Sequence, residues 1–355
     1  MFKNYPNDVY INDKKADNAV KQYDFQEENN NIKLVWHNNI NNCSYMFFGC
    51  SNIIEIDLSN FDFSLVTNIS HMFERCSSLT LINFTNINTS IVTTIDSIFN
   101  GCTSLKSLDL SYFNTINVID FNWVFRGCSQ LTSLDLSNFN TSKCIDMSQM
   151  FNGCSSLTSL NISNFDTSQV TEMNNLFQGC SNLTSLDLSN FDTSKVTNME
   201  CMFKGCSNLS SLDLSNFKTP NLKNLTQIFN GCSSLTLLNI SNLNTSQLKE
   251  MNHLFKSCSK LTSLDLSNFD TSQVTIMEGM FQNCSSLTNL NLSNFNTLNA
   301  INIKWMFYGC SNVISLDLSN FRTPNLKDMN QMFNGCSSLT SLNISNFNTS
   351  QLENM

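Results

Sequence analysis

Residues 180–205 read CSNLTSLDLSNFDTSKVTNMECMFKG, and close copies of this stretch fill most of the 355-residue chain. Cysteine marks the register, because it returns at one constant interval without a slip. The twelve members of this column are Cys50, Cys76, Cys102, Cys128, Cys154, Cys180, Cys206, Cys232, Cys258, Cys284, Cys310 and Cys336. A period of about 26 residues without drift indicates that one supersecondary unit is stacked about twelve times into a solenoid.

Each repeat carries a strand signal followed by a helix signal. In its first half, Leu186 and Leu188 alternate with polar residues, and this period of two predicts a half-buried strand. In its second half, Val196, Met199 and Phe203 recur with the spacing of one helix face. The sequence therefore predicts a strand and a short helix in every coil.

Residues at the borders of the second half favour the same interpretation. Thr193 stands where a helix N-cap belongs, and Pro220 and Pro324 each follow a Thr of that column, at the first helical position. Gly205 precedes the cysteine, where a left-handed residue often ends a helix. We therefore expect an α/β right-handed solenoid of about 12 coils of about 26 residues, with a parallel sheet on one face and short helices on the other.

The two ends of the chain differ from the repeats and from each other. Residues 1–46 are rich in charge and are predicted to form a polar N-terminal cap, with the solenoid proper at 47–355. Residues 321–355 closely match 217–251, where the chain continues into another coil. We therefore expect the C-terminal cap to be absent and the natural protein to run further.

The bulk composition narrows the possible functions. The formal net charge is −9 with only 13% charged residues, and no Lys/Arg cluster could neutralise a row of phosphates, which argues against nucleic acid as a partner. No apolar run reaches the length of a membrane span, and the N-terminus has no signal-peptide core. The three histidines are His37, His71 and His253, and no catalytic, phosphate-binding or zinc motif is present. We therefore expect no enzymatic activity, no cofactor and no metal site.

The cysteine column is interpreted as buried, reduced thiols that fill the core. Neighbouring coils would hold parallel Cβ atoms about 4.8 Å apart, which is too far for a disulfide. Cys201 lies outside that column, in a mixed position that also holds His71, Trp123 and Gln149. We therefore expect Cys201 to be the one accessible thiol.

A column of Asp and Asn residues, flanked by Ser, occupies the outward side of the predicted strands. One interpretation is a groove that binds a glycan, a peptide or calcium through stacked carboxylates. The other, which we favour, is a solvated face in which Asn dilutes the repulsion between acids stacked about 4.8 Å apart. The candidate contact residues are Asp109, Asp135, Asn161, Asp187, Asp213, Asn239 and Asp265. Neighbouring Asn residues such as Asn138 and Asn190 are expected to form amide ladders that satisfy backbone groups in the turn.

The units LTSLDLSNFDTS and MF-x-G-C, over about residues 43–355, closely resemble the 26-residue repeat of bacterial surface proteins, the BspA-like leucine-rich repeats. The resemblance implies a leucine-rich-repeat-type solenoid, an extracellular or cell-surface location and a role in adhesion. On this basis we expect a non-enzymatic recognition module that presents its Ser–Asp/Asn–Ser strand face to a protein or glycan. The alternative is a structural protein that self-associates through its ends or flanks into a filament or coat.

Overall fold

The chain winds into a β-solenoid in a computed structural model that describes residues 5–16 and 29–354. Successive coils pair position by position, as in the parallel bridges from Asn42 to Asn68 and from Asn68 to Thr94. One phenylalanine per coil marks the stacking, since Phe47 to Phe333 form eleven consecutive ring pairs with centroids 5.6–5.9 Å apart. Such rings bury large apolar surfaces, and they lie at the centre of one continuous hydrophobic core. The predicted repeat architecture is confirmed.

The described strands form one antiparallel sheet and a row of short parallel pairs. Near the N-terminus, β1 (Asp8–Ile11) pairs antiparallel with β2 (Lys14–Lys15) and with β3 (Ile32–Val35). The parallel pairs are β4 (Glu55–Asp57) with β5 (Leu81–Asn83), β6 (Ser133–Asp135) with β7 (Ser159–Asn161), β8 (Ser211–Asp213) with β9 (Leu237–Asn239), and β10 (Ser315–Asp317) with β11 (Ser341–Asn343). The predicted parallel strands are therefore present in eight coils, whereas the equivalent residues 107–109, 185–187, 263–265 and 289–291 form no strand.

The predicted short helices are wrong, because no helix occurs in residues 5–16 or 29–354. The second half of each coil is a run of overlapping tight turns. The amides of residues 199, 201, 203 and 205 donate to carbonyls of the next coil, those of residues 224, 226, 228 and 230, at 2.7–3.0 Å. The amides of residues 202, 204 and 206 instead donate three positions back, to carbonyls of their own coil. Every second amide thus bonds to the next coil, and the bonding pattern of an α-helix cannot form.

Backbone handedness explains the failure of the helix prediction. Cys201 has φ 55° and Gly205 has φ 75°, so two residues in each second half are left-handed. Each is the third residue of a tight turn, the position at which a type II turn requires positive φ. The helix-like spacing of apolar residues arises because these turns also return a side chain to the core every three to four residues. Glycine in the Gly205 column is left-handed as expected, but it ends no helix.

The threonine column has another role than helix capping. Thr193 is 1% exposed, and its hydroxyl donates to the carbonyl of Lys218 in the next coil at 3.1 Å. In the preceding coil, the Thr167 hydroxyl donates to the carbonyl of Asp192 and also accepts the amide of Asp192 at 2.8 Å. The predicted N-cap is therefore wrong, and the buried hydroxyls join one coil to the next.

Acidic and amide side chains cap turns throughout the solenoid. In residues 192–194, Asp192 Oδ1 accepts the amide of Ser194 at 2.9 Å, and this turn recurs from coil to coil. The residue in the Asp192 column is basic at only two places, Lys218 and Arg322, and each lies two residues before a proline. Proline has no amide to donate, so a carboxylate or carboxamide cap has no purpose there.

The amide ladder that the sequence predicts is confirmed. Asn190 Nδ2 donates to the carbonyls of Ile162 and Phe165 in the preceding coil at 3.1 and 2.9 Å, and other members of its column repeat these bonds. The predicted polar cap, residues 1–46, falls partly on 1–4 and 17–28, which lie outside the described residues. That boundary and the right-handed sense of the coil stay predictions.

Candidate functional site

The Asp/Asn column forms a continuous exposed row along the solenoid, here called the strand face. All seven candidate residues from Asp109 to Asp265 are exposed and in register. In each of these outward side chains, Oδ1 accepts a hydrogen bond from a backbone amide. In Asp187, Oδ1 accepts the amide of Ser189 at 2.9 Å, and the corresponding bond recurs at each of the other candidates. A carboxylate can accept about four hydrogen bonds, so each Asp keeps acceptor capacity for solvent or a ligand.

These turn hydrogen bonds also set the charge of the strand face. The amide of Ser189 lowers the pKa of Asp187, and the amide of Ser111 does the same for Asp109. The pKa values of Asp135, Asp213 and Asp265 are lowered by the same backbone bond. A hydrogen bond to the charged form favours ionisation, so the strand face is a row of carboxylates at neutral pH.

The short strand pairs share one arrangement of Asp and Asn. All four parallel pairs align an Asp with an Asn of the following coil, as in Asp135 with Asn161 and Asp213 with Asn239. Asn161 Nδ2 donates to Asp135 Oδ1 at 2.9 Å, so the amide bridges the coils and offsets the charge. Asp109 and Asp135 follow each other directly, as do Asp187 and Asp213, and neither couple forms a strand pair. Repulsion between stacked acids disfavours pairing at these two couples, but Asp265 and Asn291 also form no strand pair, so acid stacking does not account for every interruption.

The strand face offers a shallow surface and no metal cage. A hollow of about 360 Å³ opens between Asn291 and Asp317, lined mainly by Ser, Asn and Leu side chains. Within residues 5–16 and 29–354, no three His, Cys, Asp or Glu side chains are placed to hold a metal ion. The same part of the chain has no helix that could cross a membrane. The arrangement can present charge and hydrogen-bond acceptors to a partner that lies across several coils.

The prediction that Cys201 is accessible is wrong. Its side chain lies in the left-handed column, where it is only 6% exposed, and burial raises the pKa of its thiol. A helix would have turned this position to solvent, whereas the tight turn lays it along the neighbouring coils. All fifteen cysteines are free, and the partly exposed ones are Cys50 and Cys336 in the outer coils.

The cysteine column is buried between those two ends, as predicted, and it has a bonding role that the sequence did not suggest. Cys180 Sγ lies 3.2 Å from the carbonyl oxygen of Phe151 in the preceding coil, and the contact recurs along the column. Burial raises the pKa of Cys154 and Cys206 to about 12, which keeps these thiols protonated. They are packing residues and weak donors, with none of the reactivity of an activated thiol.

The first coils contain a charged cluster that was not predicted from the sequence. His71 contacts Glu74 through Nδ1 and Asp96 through Nε2, and its ring stacks on Tyr45 with centroids 4.4 Å apart. Glu74 is 7% exposed and also accepts from Asn100 Nδ2 at 3.2 Å. No sequence signal singled out Glu74, because its column holds mostly polar residues such as Asn100 and Lys204. Each charged member has a partner, so the cluster serves as a link between coils.

Comparison with known proteins agrees with the repeat. The family model described as "Mycoplasma protein of unknown function, DUF285" matches residues 16–133, 41–160, 67–186, 119–236, 145–262, 209–316 and 288–355. No curated protein matches the sequence.

Two solved structures with a similar fold are leucine-rich repeat proteins. A leucine-rich cell surface protein from Faecalibacterium prausnitzii is 18% identical, with 84% of each chain covered and a TM-score of 0.39. A leucine-rich-repeat protein from Eubacterium ventriosum is 17% identical, over 83% of this chain and 80% of that one, with a TM-score of 0.48. With the family model covering nearly the whole chain in overlapping copies, the protein belongs to the DUF285 family, and its repeats are BspA-like.

Proposed function

We propose that this protein is a non-enzymatic recognition module whose strand face binds a protein or glycan partner. The observation that carries the proposal is the fixed geometry of the Asp row. Each carboxylate is held by the amide two residues on, as Asp187 is held by Ser189 at 2.9 Å, so the exposed carboxylate has a defined position. Side chains that are already ordered lose little conformational entropy on binding.

The two Asp couples are the points of highest charge on the strand face. Asp109 with Asp135, and Asp187 with Asp213, stack two ionised carboxylates without an intervening Asn. A basic group or a set of sugar hydroxyls placed between such a couple would relieve the repulsion and gain hydrogen bonds. These couples are therefore the proposed points of contact, with a partner that spans several coils.

The test replaces Asp109, Asp135, Asp187 and Asp213 together by Asn. Asn keeps the Oδ1 acceptor of the turn, so shape and turn bonding stay nearly intact while four charges are lost. We expect the wild-type chain to bind at least one member of a glycan array or a panel of purified matrix proteins, and the variant to lose that binding by tenfold or more. Equal binding by both forms would contradict a role for the carboxylates.

Self-assembly is the alternative function, and the same material tests it. If neither form binds any glycan, matrix protein or Ca²⁺ while light scattering and electron microscopy show polymers at rising concentration, the structural function replaces the recognition function. The location that we propose is the cell surface, because the BspA-like repeats that this sequence resembles occur in surface-exposed proteins. We also propose that residues 1–46 act as the polar cap of the solenoid.

A further inference from the structure

A second row runs along the solenoid on a different side from the strand face, and it is exposed except at Thr171 and Thr197, which are half-buried. Its first eight members, one per coil, are here called the corner ridge: Thr67, Thr93, Ile119, Ile145, Thr171, Thr197, Lys223 and Lys249. The column then continues with Thr275, Ile301, Lys327 and Glu353. Backbone bonds keep the row in register, since the amides of Ile145, Thr171 and Thr197 each donate to the ridge residue of the preceding coil at 2.8–2.9 Å. The ridge side chains therefore project from a rigid, evenly spaced support.

The first part of the corner ridge is aliphatic. Ile119 and Ile145 are 49% and 50% exposed, and they are joined by the exposed side chains of Leu65, Ile91 and Ile116 in adjacent columns. The threonines add to the apolar character of this part, because their hydroxyls are already used within the protein. The hydroxyls of Thr67, Thr93, Thr171 and Thr197 each donate to a backbone carbonyl of the preceding coil. Most of the remaining surface is Ser, Thr and Asn, so this concentration of exposed aliphatic groups indicates a contact surface.

The second part of the corner ridge is basic. Lys223 and Lys249 are stacked in consecutive coils, with Lys195 and Lys218 exposed in adjacent columns. Residues 195–260 contain seven lysines and three acidic residues, in a chain whose net charge is −9. Asp192 is near enough for Lys195 and Lys218 to help lower its pKa. Within the described residues, however, none of these four lysines forms an ion pair, whereas Lys327 of the same column pairs with Glu353 at 3.1 Å.

We propose that the corner ridge is a docking surface for an extended polypeptide segment with an aliphatic part followed, in either chain direction, by an acidic part. The acidic part of the segment would bind the lysines by charge complementarity, and the aliphatic part would pack on the exposed isoleucines. The two halves follow each other along the axis, which suits a linear partner, whereas a membrane is bound by apolar residues within a basic rim. Seven coil steps of about 4.8 Å make the ridge about 34 Å long, which corresponds to about ten extended residues.

The test measures binding of fluorescent peptides of about ten residues to the whole chain by anisotropy. One peptide carries leucines in one half and aspartates in the other, and its control has the same composition in interleaved order. We expect the segregated peptide to bind at least tenfold more tightly than the interleaved one, with affinity that falls as salt rises. Equal binding of the two peptides, or no binding of either up to about 1 mM, would overturn the proposal.

Matched variants assign the binding to the corner ridge. The double variants Ile119→Thr/Ile145→Thr and Lys223→Thr/Lys249→Thr introduce a residue that this column already uses in neighbouring coils, so the fold should tolerate both. Each should weaken the segregated peptide at least fivefold, while the Asp→Asn variant of the strand face should leave it unchanged. If the two ridge variants bind the peptide as tightly as the wild type, or if the wild type binds only anionic phosphatidylserine vesicles, the proposal fails. Its success or failure is independent of the strand face.

Discussion

The strand segment and the turn segment of one coil are stabilised in different ways. In residues 211–213 three residues pair with one neighbouring coil only, and the strands along the solenoid form four separate pairs. In the turn segments, inter-coil backbone bonds and phenylalanine stacks continue through consecutive coils, as from Asp120 through Asp146, Glu172 and Asn198 to Asn224. The regular backbone ladder of this solenoid therefore lies mainly on the turn side, whereas the strand side pairs only locally.

Removing one ring from the turn segment should have the largest effect. Phe203 is fully buried and stacks between Phe177 and Phe229 at 5.8 and 5.9 Å, so Phe203→Ala should lower the free energy of unfolding by about 3–5 kcal/mol. Leu238→Ala is the matched change in a strand, β9, where the side chain is only partly buried, and should lower it by about 1–2 kcal/mol. Denaturation in urea measures both, and equal losses would contradict the greater weight of the turn side.

The buried threonine hydroxyls should come next. Thr167→Val leaves the amide and the carbonyl of Asp192 without their partner, so it should cost about 1–3 kcal/mol. Thr158 makes a single bond to the carbonyl of Thr132 at an exposed position, and Thr158→Val should cost less than about 0.5 kcal/mol. Melting curves of the two variants make the comparison. A Thr167→Val protein as stable as the wild type would show that the hydroxyl does not join the coils.

Left-handed positions test the turn geometry directly. A Cβ at Gly205 would meet Gly179 Cα at 3.6 Å, which is an ordinary contact, so Gly205→Ala should cost about 1–2 kcal/mol through backbone strain alone. Arg75 has φ 62° in the same column, and Arg75→Gly should therefore raise stability by up to about 1 kcal/mol. We therefore expect thermal unfolding to show a lower melting temperature for Gly205→Ala and a higher one for Arg75→Gly than for the wild type. A loss of stability in both variants would show that Arg75 has side-chain contacts that outweigh its strain.

The Asp→Asn variant of the strand face should change stability least, and its effect should depend on pH. The pKa values of Asp109, Asp135, Asp187 and Asp213 are lowered in the folded state, below an unfolded value of about 3.9. Their ionisation therefore stabilises the fold above that unfolded pKa, and this contribution is lost as pH falls through the folded values. The quadruple variant should lack this acid-sensitive component in urea titrations between pH 7 and pH 2.5. An unchanged pH dependence would mean that the turn amides do not favour the ionised carboxylates over the protonated carboxyl groups.

The repeat, its length and the core columns could all be predicted from the sequence, because a fixed period and an alternating strand leave few other ways to bury the apolar side chains. The sequence also shows that a basic residue replaces the Asp or Asn cap two residues before a proline, at Lys218–Pro220 and Arg322–Pro324. Only the structure shows the turn that explains this replacement. The conformation of the second half of each coil, by contrast, depends on tertiary contacts. Residues spaced like a helix face can instead bond to the next coil, and a local pattern cannot report a partner that lies one full coil away. The burial of Cys201 and the exposure of the corner ridge both follow from this bonding to the next coil.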